Sequence, residues 1–117
     1  MSPTLLQLSL SQREVWRDQS AAPGSAHLLI GGGGILSGPF DLARCERALV
    51  LLVGEADALR LVPQQDGTQL LLEHFSPTLE CVDIGKATDP GKGMQDWWQN
   101  SLSRPLLFDA KPPWRFA

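Results

Sequence analysis

The chain has 117 residues, of which 43% are hydrophobic and 20% charged, and its ten Lys and Arg against thirteen Asp and Glu give a net charge of −3. This length allows one small domain with a modest core, and the composition excludes a disordered chain or a coiled coil. The cations are scattered and no apolar run approaches the roughly 18 residues of a membrane span, which excludes nucleic acid and membranes as partners. The N-terminus has no signal-peptide pattern, so a cytoplasmic protein is expected.

The first half of the chain predicts two helices and a strand. Ser9 with Gln12, and Ser11 with Glu14, match the capping box and predict a helix over residues 10–19. Residues 27–36 predict a strand that is weakened by its four consecutive glycines. Asp41 predicts the N-cap of a second helix that ends at Gly54 or continues towards residue 58. Its apolar residues recur at helical spacing: Leu42, Cys45, Leu49, Leu52 and Val53.

The second half predicts a hairpin, a third helix and two short strands. Residues 59–62 and 70–75 read as strands on either side of a turn that ends in Asp66-Gly67. Residues 80–84 read as a further strand, 89–93 as a loop, and 94–102 as a helix that carries Trp97 and Trp98. Residues 114–117 read as the beginning of a strand.

The residues that carry chemistry do not form a recognisable active site. The glycine run lacks the lysine of a phosphate-binding loop and the spacing of a dinucleotide-binding motif. Neither His27 nor His74 has a second ligand at metal-binding spacing, although either could serve as the base of a small enzyme. Cys45 and Cys81 are expected to be buried apolar thiols. Trp16 and Trp114 are expected to anchor the core, and one of Trp97 and Trp98 to lie at the surface or under a partner.

Four segments, in order, resemble the start of a nonribosomal peptide synthetase condensation domain. Residues 8–16 are similar to the family's opening motif, S-x-A-Q-x-R-[LM]-[WY], at Ser9, Gln12 and Trp16. Residues 37–41 and 46–49 resemble its second stretch. Residues 55–63 correspond to the family's R-H-E-x-L-R-T-x-F, with Leu59 and Arg60 identical. Residues 104–109 and 113–116 resemble its pFDL…gPLWRF stretch.

The resemblance implies an α+β fold, namely part of the N-terminal lobe of a two-lobed, chloramphenicol acetyltransferase-like structure with a mixed sheet and about three helices. It implies that residues 1–117 are one domain that stops before the catalytic HHxxxDG motif, so that no catalytic residue lies in the chain. Ser9, Gln12 and Trp16 are then structural. Arg60 supports the absent motif by pairing with its aspartate, and is expected to have no partner within this chain.

The resemblance also implies the activity and partners of the full-length parent, an acyltransferase that joins a carrier-bound acyl group to the amine of a carrier-bound amino acid. The partners are peptidyl carrier proteins and the remainder of the condensation domain. The chain itself binds no metal or cofactor, and phosphopantetheine is carried by the partner proteins. An apolar edge is expected where the next strands belong, and with it self-association into a homo-oligomer. The alternatives are a stand-alone domain that binds a carrier protein or itself, and a small enzyme built on His27 or His74.

Overall fold

The computed structural model describes residues 2–108 and 111–117. Its sheet has three antiparallel strands. Its strands are β1 (Thr4–Gln7), β2 (Leu61–Pro63) and β3 (Thr68–Leu71), in the order β1-β3-β2. Thr4 pairs with Leu71 at one edge of β3 and Pro63 pairs with Gln69 at the other. Asp109, which belongs to the last segment of the family resemblance, lies outside the described residues.

The β2–β3 hairpin confirms the turn predicted from Asp66-Gly67. Gln64 N–H donates to the Thr68 carbonyl at 2.8 Å, and Gly67 has a φ of +84°, a conformation that glycine adopts without steric cost. The Asp66 carboxylate accepts hydrogen bonds from the Thr68 hydroxyl at 2.6 Å and from the Thr68 backbone N–H at 3.0 Å. These two bonds, the hydroxyl first, lower the pKa of Asp66.

All three predicted helices are present: α1 (Leu10–Ala21), α2 (Leu42–Glu55) and α3 (Pro90–Ser103). Asp89 accepts the N–H of Lys92 and Pro90 occupies the first turn, so α3 begins four residues before the predicted start. The aspartate cap and the proline were the local signals for that start. A 3₁₀ turn at Asp57–Arg60 takes the first two residues of the strand predicted over residues 59–62, so that β2 begins at Leu61.

The predicted strands outside the hairpin are the main errors. Residues 27–36 do not form a strand, because no other segment of the described chain pairs with them and their glycines do not favour extended structure alone. Residues 80–84 form no strand or bridge, and residues 114–117 make a single parallel bridge, from Phe116 to Leu79. Strand β1 was not predicted, since a four-residue strand leaves little periodicity to read.

The α+β class with three helices is confirmed. The sheet itself is antiparallel, and among the described residues the parallel pairing of the predicted mixed sheet is confined to the Leu79–Phe116 bridge.

The core is small, and much apolar surface is open to solvent. The buried aliphatic side chains of the described residues are Leu8, Leu49, Val53 and Val62. The accessible surface is 8618 Å², about 2,300 Å² more than a compact monomer of this mass exposes. The radius of gyration is 16.4 Å, against about 13 Å for a compact domain of this length. Among the large apolar side chains left open are Ile30, Ile35 and Leu36, while the predicted edge for the next strands stays a prediction.

The exposure of Cys45 contradicts the prediction that it is a buried thiol. It lies on α2 one turn before the buried Leu49, as the predicted seam requires, yet its side chain is exposed. Nothing in the described chain covers that turn of the helix. Cys81 is exposed as well, so the prediction of two buried thiols is wrong.

Candidate functional site

Among the three residues of the opening motif, Ser9 caps α1, while Gln12 and Trp16 connect it to the hairpin. Ser9 Oγ accepts the Gln12 N–H at 3.2 Å and Gln12 Oε1 accepts the Ser9 N–H at 2.8 Å, which is the predicted capping box. The Gln12 amide also pairs with the amide of buried Gln69 on β3, with Gln69 Nε2 3.1 Å from Gln12 Oε1. Trp16 Nε1 donates to the Gln64 carbonyl at 2.8 Å. These residues thus have a positioning role in the chain.

Arg60 is the most completely bonded charged residue of the described chain. Nη1 donates to the carbonyls of Val53 and Gly54, each at 2.6 Å, and Nε donates to the Leu72 carbonyl at 3.0 Å. Nη2 contacts the Asp57 carboxylate at 2.5 Å. The guanidinium therefore joins the end of α2, the 3₁₀ turn and the residue that follows β3.

This geometry corrects the expectation that Arg60 has no partner within the chain. The residue is 8% exposed and is bonded to three carbonyls and one carboxylate. Two of the carbonyls it binds, those of Val53 and Gly54, are among the unpaired acceptors that every helix leaves at its C-terminus, where a cation is favourable. Those acceptors could not be assigned from the motif that drew attention to Arg60.

Two histidines were candidates for catalysis, and only His27 has a nucleophile beside it. Ser25 Oγ lies 2.7 Å from His27 Nδ1, and Asp18 Oδ1 lies 3.3 Å from His27 Nε2. A hydrolase triad also links serine, histidine and aspartate in this order, but there the serine contacts Nε2 and the aspartate Nδ1, so the two ring nitrogens are exchanged here. His27 and Asp18 are both exposed, so water competes for these contacts. His74 is almost fully exposed and lies 3.7 Å from Glu73.

The end of the chain is held by aromatic contacts and one arginine. The Trp114 ring meets Phe75 and Phe116 edge to face, at centroid distances of 5.7 and 5.1 Å. Trp114 Nε1 donates to the Leu59 carbonyl at 2.9 Å. Arg115 Nη2 donates to the carbonyl of Ser101 at 2.6 Å. Burial, followed by the charge of Arg104, lowers the pKa of Arg115.

Two open apolar clefts flank these elements. The first, of about 620 Å³, lies between α1 and the loop that follows it, with Val15, Trp16 and Leu29 on its walls. The second, of about 770 Å³, has the glycine run on one wall and Trp97 and Trp98 of α3 on another. Both tryptophans are half-buried. The glycine run thus takes part in an apolar surface rather than a phosphate site.

In residues 2–108 and 111–117, no group of three or more His, Cys, Asp or Glu side chains is placed to hold a metal ion. Within the same ranges, no helix combines the length and apolar character needed to cross a bilayer. The arrangement as a whole offers apolar surface and one structural guanidinium.

Comparison with known proteins identifies the fold of the chain by its similarity to solved structures. No protein-family model and no curated protein matches the sequence. Among solved structures, the chain is similar to the starter condensation domain of rhizomide synthetase RzmA, with a TM-score of 0.74 and 24% identity over 93% of this chain. A mutant of that domain gives the same values. The chain spans 27% of the length of these structures, and it has the fold of part of a condensation domain.

Proposed function

We propose that residues 1–117 are the N-terminal segment of a nonribosomal peptide synthetase condensation domain and are inactive alone. The observation that carries this proposal is the match to a solved condensation domain across 93% of the chain. The open apolar surface supports it, because a segment that packs against the rest of a domain leaves such surface when it stands alone. We place the protein in the cytoplasm.

In the proposed parent, the amine of a carrier-bound amino acid attacks the thioester carbon of a carrier-bound acyl or peptidyl group. A carbon–nitrogen bond forms, the carbon–sulfur bond breaks, and the thiol of the donor's phosphopantetheine leaves. A histidine of the HHxxxDG motif assists the loss of the amine proton. The only histidines of this chain, His27 and His74, are not adjacent, so the proposal places the motif outside residues 1–117.

Arg60 has a positioning role in this proposal. Its three carbonyl contacts fix the guanidinium, while its carboxylate partner, Asp57, is 72% exposed. An exposed partner is easily exchanged, because water already solvates its charge. The aspartate of the catalytic motif would take the place of Asp57 on Nη2 and so be held in the assembled domain. Arg60 touches no reacting atom in this scheme.

The test compares the 117-residue chain with the polypeptide encoded when its reading frame is followed past Ala117. We expect that longer polypeptide to contain HHxxxDG and to form an amide between carrier-bound donor and acceptor, as measured by mass spectrometry of the carrier-bound product. The 117-residue chain alone should form none. Alanine at the second histidine of the motif should abolish the product. A longer frame without the motif, or product formed by the 117-residue chain, would refute the proposal.

The contact of Ser25, His27 and Asp18 favours a second candidate function, hydrolysis of an ester or thioester at Ser25. A fluorophosphonate probe separates the two, since it labels only an activated serine hydroxyl. Our proposal expects no labelling of Ser25. Labelling that is lost in His27→Ala and kept in the matched variant His74→Ala would establish the hydrolase instead.

A stand-alone interaction domain is the remaining alternative, and it too expects no labelling. It differs in expecting the 117-residue chain alone to bind a carrier protein with measurable affinity, which titration of a purified carrier protein would detect.

A further inference from the structure

The glycine segment, residues 29–36, lies against α3. A Cβ atom built on Gly31 would lie 3.2 Å from Trp98 Cη2, and one built on Gly33 would lie 3.9 Å from the same atom. Gly32 and Gly34, by contrast, face open space. Alternation of covered and open positions is the side-chain pattern of a β-strand. The glycine segment therefore has one face on Trp98 and the other in solvent.

The backbone of this segment has no partner among the described residues. No backbone N–H or carbonyl between Ile30 and Phe40 makes a hydrogen bond in that part of the chain. Ile30, Ile35 and Leu36 are 93%, 84% and 88% exposed. An unpaired strand edge with apolar side chains is a template for pairing with another strand.

The sequence of the glycine segment is suited to pairing with a copy of itself. It reads Leu-Ile-Gly-Gly-Gly-Gly-Ile-Leu, the same order from either end, so an antiparallel copy presents the same pattern. A two-fold axis across an antiparallel pair passes between a residue and its own copy, here Gly32 or Gly33. With Gly32 on the axis, Leu29 opposes Ile35 of the second copy, and with Gly33 on it, Leu36 opposes Ile30. Either register places aliphatic side chains opposite each other.

The absence of charge in the glycine segment also suits pairing with a second copy. No charged residue lies between Leu28 and Phe40, so two copies can align without bringing like charges together. We propose that the 117-residue chain dimerises through antiparallel pairing of the glycine segment. This inference does not depend on the proposed function.

Sedimentation equilibrium across a concentration series tests the dimer, with an expected rise from 12.8 kDa to twice that mass. Hydrogen exchange locates it: amides 30–36 should become protected as the concentration rises. Consecutive N–H groups of a strand point to opposite edges, so one of the two neighbours, Gly32 or Gly33, donates to the partner copy. Proline at that position removes the donor from each copy and should raise the dimer dissociation constant at least about tenfold.

Gly32→Ala and Gly33→Ala are the matched controls, because they keep the N–H and their added Cβ atoms meet no close contact. Both should dimerise within about threefold of the original chain. Four results would overturn the inference: a monomer at every concentration, dimers unaffected by both prolines, protection at α2 instead, or protection of amides 30–36 only after the rest of a condensation domain is added. The last would assign the segment to a strand of that domain.

Discussion

Replacement of Arg60 with alanine is expected to lower the free energy of unfolding by about 3–5 kcal/mol. The change leaves the carbonyls of Val53, Gly54 and Leu72 without the donor that satisfies them, in the least exposed part of the chain. Urea unfolding followed by far-ultraviolet circular dichroism measures the loss. All variants are compared at one protein concentration, since self-association would add to the apparent stability.

Arg47→Ala is the control for Arg60→Ala, because Arg47 lies exposed on α2 and its loss should change stability by less than about 0.5 kcal/mol. Arg60→Lys should also destabilise, since one ammonium cannot reproduce the planar fork of donors that reaches three carbonyls. Equal stabilities for Arg60→Ala and Arg47→Ala would contradict the central place given to Arg60.

Removal of the Trp114 side chain is expected to cost about 2–3 kcal/mol in the alanine variant. Trp114→Ala abolishes the edge-to-face contacts with Phe75 and Phe116 and the hydrogen bond to the Leu59 carbonyl. Trp114→Phe retains a ring but loses the indole donor, so about 1 kcal/mol is expected. The same urea experiment measures both variants.

The control for Trp114 is Phe40→Ala, which removes an aromatic ring that is 64% exposed. Its stability should stay within about 0.5 kcal/mol of the original chain. If Phe40→Ala and Trp114→Ala cost the same, the C-terminal residues are not held by Trp114, and the contact with the 3₁₀ turn contributes little.

The elements that could be predicted are those whose causes are local. The capping residues Ser9 and Asp41 start α1 and α2, and Asp66-Gly67 closes the hairpin, each through hydrogen bonds or backbone angles within a few residues. The errors concern pairing and covering by distant segments. Cys45 lies on the predicted seam, yet no described residue covers it, and residues 27–36 have strand character with no neighbouring strand in the described part of the chain.

In the candidate site, too, the residues could be predicted from the sequence but most of their partners could not. The family resemblance singled out Ser9, which caps α1, and Arg60, Gln12 and Trp16, which connect segments of the fold. Their partners could not be read from the motifs, because the Gln64 carbonyl and the Gln69 amide lie about fifty residues away from α1 along the chain. The contact of Ser25 with His27 was within reach, since the two are separated by a single residue, but Asp18 is brought there only by the turn after α1.

The order of strands in the sheet has a consequence for synthesis on the ribosome. The β2–β3 hairpin closes over a short loop, and such hairpins form within microseconds. Among the described strands, however, β1 pairs only with β3, so Thr4 cannot pair until Leu71 has been synthesised. At a translation rate of about 5–20 residues per second, β1 spends several seconds outside the ribosome as an unpaired apolar strand. Until β3 follows it out of the ribosome, a chaperone has access to β1.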